Sequence, residues 1–199
     1  MKLYYAPGAC SLSPHIVAAE AGIPIQLEKV DLQAKKTESG EDFNQVNPKG
    51  YVPALRLDDG SVLTEGPAIV QYLVDQNPGS GLAPKAGSVE RYKLAEWLAF
   101  LNSEVHKVWS GLWNPNAVRA PIEQQLGKRL DWLNGQLAAR PYLMGERFAA
   151  ADAYLFTLLN WGEWTKVDLA RWPALTKYAE RVRARPKVQQ ALKEEGLVK

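Results

Sequence analysis

Lys2-Leu3-Tyr4-Tyr5-Ala6-Pro7-Gly8-Ala9-Cys10-Ser11-Leu12-Ser13-Pro14 opens the chain with a strand, a loop and a helix start in quick succession. Lys2 to Tyr5 has the apolar and aromatic character of a short strand, and Ala6-Pro7-Gly8-Ala9 interrupts it. Ser13 before Pro14 reads as a helix start, because proline at the first helical position gives up no needed hydrogen bond. Gly22 is a suitable stop, so the helix runs from Pro14 to Ala21. Ile25 to Leu32 is a second strand. Paired parallel with the first, it makes residues 1–32 one βαβ unit and sets an α/β fold.

Downstream, Glu41 to Val46 gives a short helix ended by Asn47-Pro48. Ala54-Leu55-Arg56-Leu57 and Ser61-Val62-Leu63 flank Asp58-Asp59-Gly60, and Asp-Gly between apolar runs signals a hairpin. Pro67 opens a helix through Leu73. The order β-α-β-α-β-β-α over residues 1–77 is that of a thioredoxin-like domain. Residues 78–87, rich in proline and glycine, read as a linker. Residues 88–199 show only helical patterns and are expected to form an all-helical domain. Leu94, Leu98, Leu101, Val105, Val108 and Leu112 make one stripe of a long helix, and Leu126, Leu130, Leu133 and Leu137 mark another. Ala151 to Asn160 is nearly all apolar and is placed at the centre of that domain. Trp172-Pro173 to Arg185 and Lys187 to Glu195 follow it.

With 199 residues, 46% hydrophobic and 23% charged, the chain can bury a sizeable core, and disordered and fibrous classes drop out. A net charge of +2, with cations dispersed among acids, gives no basis for a nucleic-acid or membrane-surface partner. Met1 runs directly into Lys2-Leu3-Tyr4-Tyr5 without an apolar leader, and no stretch spans a bilayer, so a cytoplasmic location is expected. Cys10 is the single cysteine, which excludes an intrachain disulfide, a C-x-x-C pair and a cysteine-rich zinc site. Only His15 and His106 add imidazole ligands, so no metal is expected. The two commonest nucleotide-binding glycine motifs are absent.

Cys10 lies just before the first helix, where backbone N–H groups and the helix dipole favour a negative sulfur. Position alone leaves two states open: a thiolate accessible at neutral pH in a Cys-x-x-Ser motif, or a small buried hydrophobe. Val52-Pro53 stands where the third strand begins, and general frequencies favour a trans bond there. Glu65-Gly66-Pro67 sits at a helix start suited to a carboxylate, with Glu65 either complementing the dipole or taking an ammonium group. At ~100° per residue, His106 lies about a third of a turn from the leucine stripe and Ser103 nearly opposite it. Both leave the core, His106 either solvated or at a ligand.

Tyr4 to Ser11, Asn47-Pro48-Lys49-Gly50-Tyr51-Val52-Pro53-Ala54-Leu55, and Leu63 to Leu73 resemble the bacterial beta class of cytosolic glutathione transferases at matching intervals. So does Glu96-Trp97-Leu98 through Ser103-Glu104-Val105-His106-Lys107. The resemblance covers essentially the whole chain. It implies a thioredoxin-like domain followed by a helical bundle, glutathione as cosubstrate with no permanently bound cofactor, and a homodimer. In that scheme the main chain of Val52, set by a cis bond to Pro53, binds the cysteinyl backbone of glutathione. Glu65 and Gly66 hold the γ-glutamyl end, and Lys35 meets the glycine carboxylate as a point charge. Cys10 lies beside the glutathione sulfur and can form a mixed disulfide with it. His106 is a second hydrogen-bonding group at the thiol, and Ser103 and Glu104 contact the tripeptide, Glu104 across the dimer interface. Tyr5, Trp109 and Trp113 are candidates for an apolar electrophile pocket, and most other tryptophans and tyrosines read as core.

Two positions depart from the family pattern. Ala99 stands where relatives often carry Asn, one turn before Ser103, which removes a polar contact. Ala149-Ala150-Ala151-Asp152 replaces a Ser-x-x-Asp capping box, keeping the acid and losing a cap worth about 1 kcal/mol. Asp152 is therefore structural. The leading expectation is conjugation of the glutathione thiolate to a small hydrophobic electrophile. The alternatives are a glutathione-dependent thiol transferase or reductive dehalogenase with Cys10 as nucleophile, and a non-catalytic carrier of apolar ligands.

Overall fold

In the computed structural model, which describes Met1 to Lys199, strand β1 (Lys2–Tyr5) is the centre of a five-stranded sheet. Leu3 and Tyr4, which point to opposite faces of the sheet, are both fully buried, so the sheet is covered on both faces at this strand. On one edge β2 (Gln26–Asp31) runs parallel, after the crossover helix α1 (Leu12–Ala21). On the other, β4 (Ala54–Arg56) runs antiparallel with Leu3 opposite Leu55, and β5 (Val62–Thr64) pairs with β4 across the Asp58-Asp59-Gly60 turn. With β3 at Lys36–Thr37, the strand order is β3-β2-β1-β4-β5.

The two-residue strand β3 (Lys36–Thr37) adds to the expected order, giving β-α-β-β-α-β-β-α. It is too short to show a sequence period. The turn before it is built by Asp31, whose Oδ1 accepts from the N–H groups of Gln33 and Ala34 at 2.8 and 2.9 Å. Helix α2 (Phe43–Val46) begins after Asp42, which accepts from Asn44 N–H, and α3 (Gly66–Gln76) carries Pro67 in its first turn.

Helix α1 starts at Leu12, earlier than the Ser13-Pro14 expected. Pro14 still falls within the first turn, where a missing N–H costs nothing. Ser13 is buried with an unpartnered hydroxyl, and Ser11 spends its side chain on the preceding loop.

By packing, the chain divides into two compact units, Met1–Ala83 together with Pro186–Lys199, and Pro84–Arg185. The last helix, α9 (Pro186–Glu194), packs on α1 of the first unit, although residues 88–199 were expected to pack as one helical domain. Its buried Val188, Ala191 and Leu192 form an apolar stripe that suits any apolar neighbour, so periodicity alone did not choose between them.

In the second unit, α7 (Ala150–Thr165) is the central helix, buried along most of its length. It packs with α4 (Val89–Phe100) and α8 (Pro173–Arg183), while α6 (Arg119–Ala138) packs with α5 (Lys107–Ser110) and α8. The long helix expected through Leu112 is interrupted. Between α4 and α5, Leu101–His106 is one turn of π-helix, closed by Lys107 N–H reaching Asn102 O. The extra residue moves the buried stripe from Val108 to Trp109. No helix is long and apolar enough to cross a membrane.

Candidate active site

In the first unit, Cys10 ends a loop whose shape is fixed by Ser11. The Ser11 hydroxyl accepts from Ala6 N–H at 3.2 Å and donates to Ala6 O at 3.3 Å. Gly8, at a φ of 70°, donates its N–H to Glu195 Oε2 at 2.8 Å. Cys10 is half-buried, and its thiol donates to Val52 O at 3.2 Å. Loss of solvation pushes this thiol up to about 12, against the pull of the Cys10 and Ser11 N–H groups, and the charge of Glu65 adds to the rise. Of the two states that position left open, burial and the hydrogen bond to Val52 O favour the protonated thiol acting as a donor.

The Asn47-to-Tyr51 loop leads into a Val52-Pro53 bond that is cis, as the resemblance implied and general frequencies did not. Buried Asn47 organises it, donating from Nδ2 to Tyr51 O at 2.7 Å and accepting from Lys49 N–H at 3.2 Å. Lys35 Nζ donates to Gly50 O at 2.7 Å, so its ammonium sits against the same loop.

Glu65 begins α3 at a φ of 71°, a left-handed setting rarely taken by a residue with a side chain. Its carbonyl accepts from the N–H groups of Ala68 and Ile69, and its Oε1 accepts from Lys49 Nζ at 2.7 Å and Tyr51 hydroxyl at 2.8 Å. The Glu65 carboxylate thus stands at the start of α3 with the Lys49 ammonium paired to it. A Cβ added at Gly66 would meet only Pro53 Cγ at 3.9 Å, so glycine is not sterically required there.

In the second unit, the π turn carries Ser103, Glu104 and His106. Ser103 is exposed, as is Ala99 one turn earlier. Glu104 Oε2 accepts from Arg129 Nε at 3.0 Å and Nη2 at 2.6 Å, which leaves Oε1 outside that pair. His106 is half-buried, with Nδ1 at 2.6 Å from the Tyr154 hydroxyl and its ring edge-on to Trp161 at 4.9 Å. The Tyr154 hydroxyl in turn donates to Asn102 Oδ1 at 2.8 Å.

The aromatic candidates separate. Trp109 is fully buried with its indole N–H donating to Thr165 Oγ1 at 2.9 Å, because the π turn rotates it inward; it is a core residue. Tyr5 is likewise core, 8% exposed, with its ring 6.4 Å from that of His15. Trp113 is 48% exposed and stands edge-on to Trp161, so it alone of the three is available to an apolar ligand.

Asp152 is structural, as expected. Its Oδ2 accepts from Ala149 N–H at 2.8 Å, which preserves half of the capping box, and its Oδ1 accepts from Leu143 N–H at 2.9 Å and the Tyr178 hydroxyl at 3.0 Å. Sequence reasoning missed Asn102, Tyr154, Lys49 and Tyr51. Each contacts a candidate residue through a fold-dependent approach that no local motif announces.

Two family models match the chain: the glutathione S-transferase N-terminal domain over residues 8–76 and the C-terminal domain over residues 100–186. The chain is 44% identical to glutathione S-transferase GstA of Escherichia coli O157:H7, across 99% of this chain and all of the relative. It superposes with a TM-score of 0.95 on a sphingomonad glutathione S-transferase complexed with glutathione, 48% identical over the whole of both chains. A bacterial beta class glutathione S-transferase from Sphingomonas chungbukensis gives a TM-score of 0.96 at 44% identity, again over both whole chains.

Proposed function

The chain belongs to the bacterial beta class of the glutathione S-transferase family, and from that premise we propose that it conjugates glutathione to small apolar electrophiles. The observation that carries this reading is Glu65, held at positive φ beside the Val52-Pro53 cis bond with its carboxylate already on an ammonium group. The γ-glutamyl end of glutathione presents the same group. Val52 supplies main-chain contacts to the cysteinyl part with Pro53 behind it, Gly66 offers its N–H at the start of α3, and Lys35 carries the charge for the glycine carboxylate. Ser103, Glu104 and His106 serve the tripeptide from the π turn, Glu104 through the oxygen that Arg129 does not use.

The thiol of glutathione loses its proton, the sulfur lone pair forms a bond to an electrophilic carbon, and the leaving group departs with the bonding pair. No resident cofactor is needed for that exchange. Cys10, still protonated, donates a hydrogen bond near the sulfur; its raised pKa argues against the thiol-transfer reading, which needs a Cys10 thiolate. Trp113 offers the apolar contact surface. We place the enzyme in the cytoplasm as a homodimer, on the pattern of its class.

Conjugation of an aryl halide tests the reading. Glu65→Ala should raise the KM for glutathione and His106→Ala should lower kcat. Full activity of the double variant would refute it. Incubation with oxidised glutathione should give no stable mass adduct on Cys10, whereas a single reducible adduct absent from Cys10→Ala would restore thiol transfer.

A further inference from the structure

Asn102, Tyr154 and His106 form a chain of two short hydrogen bonds, and a phenol has only one proton to give. Tyr154 gives its proton to Asn102 Oδ1 at 2.8 Å. The same phenolic oxygen lies 2.6 Å from His106 Nδ1. With the phenolic proton committed to Asn102, the His106 bond runs the other way, from Nδ1–H to the Tyr154 oxygen. A neutral imidazole carries one N–H, so its second nitrogen, Nε2, is left with a lone pair.

We propose that Asn102 and Tyr154 are positioning residues that fix neutral His106 as its Nδ1–H tautomer, which makes Nε2 a proton acceptor. Tyr154 is 2% exposed, on the buried helix α7, so its hydroxyl depends on protein partners for its hydrogen bonds. Asn102 and His106 lie four residues apart in the π turn, and both reach the Tyr154 hydroxyl. Trp161 packs edge-on to the imidazole at 76°, which resists a ring flip that would exchange the two nitrogens.

The use of this tautomer rests on the reading of His106 as the group at the glutathione thiol. A lone pair on Nε2 can take the thiol proton: the S–H bond breaks, the sulfur keeps the electron pair, and an imidazolium forms whose Nδ1–H is already bonded to Tyr154. An Nε2–H tautomer could only donate to the sulfur.

Long-range proton–nitrogen NMR of the 15N-labelled protein, at a pH where His106 is neutral, reads the tautomer directly. Only His15 and His106 contribute ring signals, and His106→Ala identifies which set is which. We expect Nδ1 in the protonated range and Nε2 in the unprotonated range; the reverse would overturn the proposal. Asn102→Ala releases the Tyr154 proton to turn toward Nδ1 and should swing His106 to Nε2–H, while Asn102→Asp keeps an acceptor and should preserve Nδ1–H. An unchanged tautomer in Asn102→Ala, with the His15 signals reporting an intact fold, would also overturn it. In the conjugation assay Asn102→Ala should lose about 10²-fold in kcat, and Asn102→Asp should recover most of that. If the tautomer behaves as proposed while added glutathione leaves the His106 signals unmoved and His106→Ala stays fully active, the assignment of His106 to the thiol fails and the tautomer stands.

Discussion

Two carboxylate side chains are fully buried, Asp152 in the second unit and Glu195 in the first, and they are neutralised by opposite means. The hydrogen bonds to Asp152 come from two backbone N–H groups and the Tyr178 hydroxyl, with the charge of Arg185 a lesser influence. Glu195 holds Gly8 N–H and also faces His15, 2% exposed, with Nδ1 on Glu195 at 3.0 Å and Nε2 on Glu194 at 2.8 Å. The titration follows. Burial raises the Asp152 carboxyl to about 6 in spite of its donors. Burial alone would lower His15, but hydrogen bonds to Glu195 and Glu194 outweigh it and the imidazole is raised, so its charge persists between two acids. Neutral dipoles hold a loop; a counter-charge also holds a protonation state.

Breaking the charged cluster should cost most. Glu195→Ala leaves protonated His15 with only the half-exposed Glu194 and removes the carboxylate that accepts from Gly8 N–H, for a loss of about 3–5 kcal/mol by urea unfolding. Glu195→Gln, which still accepts from Gly8, should lose less. At the neutral site, Asp152→Asn puts an NH2 group where an oxygen accepted from backbone, at about 1–3 kcal/mol.

The pH dependence has the same sign at the two sites and separates them by window. Asp152 has a raised folded pKa, so its contribution is full below the ordinary value of 3.8 and is lost as pH rises through about 6. Asp152→Asn should flatten that slope in a series of unfolding curves. His15, also raised, contributes fully below its ordinary 6.5, and its share is lost only as pH rises through its higher folded value. The smallest effect belongs to an exposed pair. Lys49→Met removes the ammonium now on Glu65 and should tighten glutathione binding by less than about tenfold in calorimetry; weaker binding would make Lys49 a support for Glu65 and not a competitor.

The thioredoxin-like order was legible because proline and glycine mark nearly every junction before residue 88, and Asp59-Gly60 marks the hairpin. Cys10, Val52-Pro53 and Glu65 sit at such junctions, which drew notice to them, while their roles came only from the resemblance. The π turn was not, because Leu101 to His106 are ordinary helix formers and nothing local asks for a wider turn. Assuming ~100° per residue throughout therefore placed Val108 inward and left Trp109 for a pocket. Glu194 and Glu195 stood only as the end of the last expected helix, and only the return of α9 to α1 brings them onto His15.

That return has a consequence for the order in which the protein is made. The first unit is discontinuous, its last piece starting at Pro186. While residues 84–185 are being translated, α1 lacks its α9 cover and His15 its two acids. At roughly 5–20 residues per second, that interval lasts on the order of 5–20 s. The nascent N-terminal sheet must wait on the ribosome with an apolar flank open until α9 has been made. A stop codon just before Pro186 would spare every residue assigned to glutathione and still deny the Cys10 loop its anchor at Gly8.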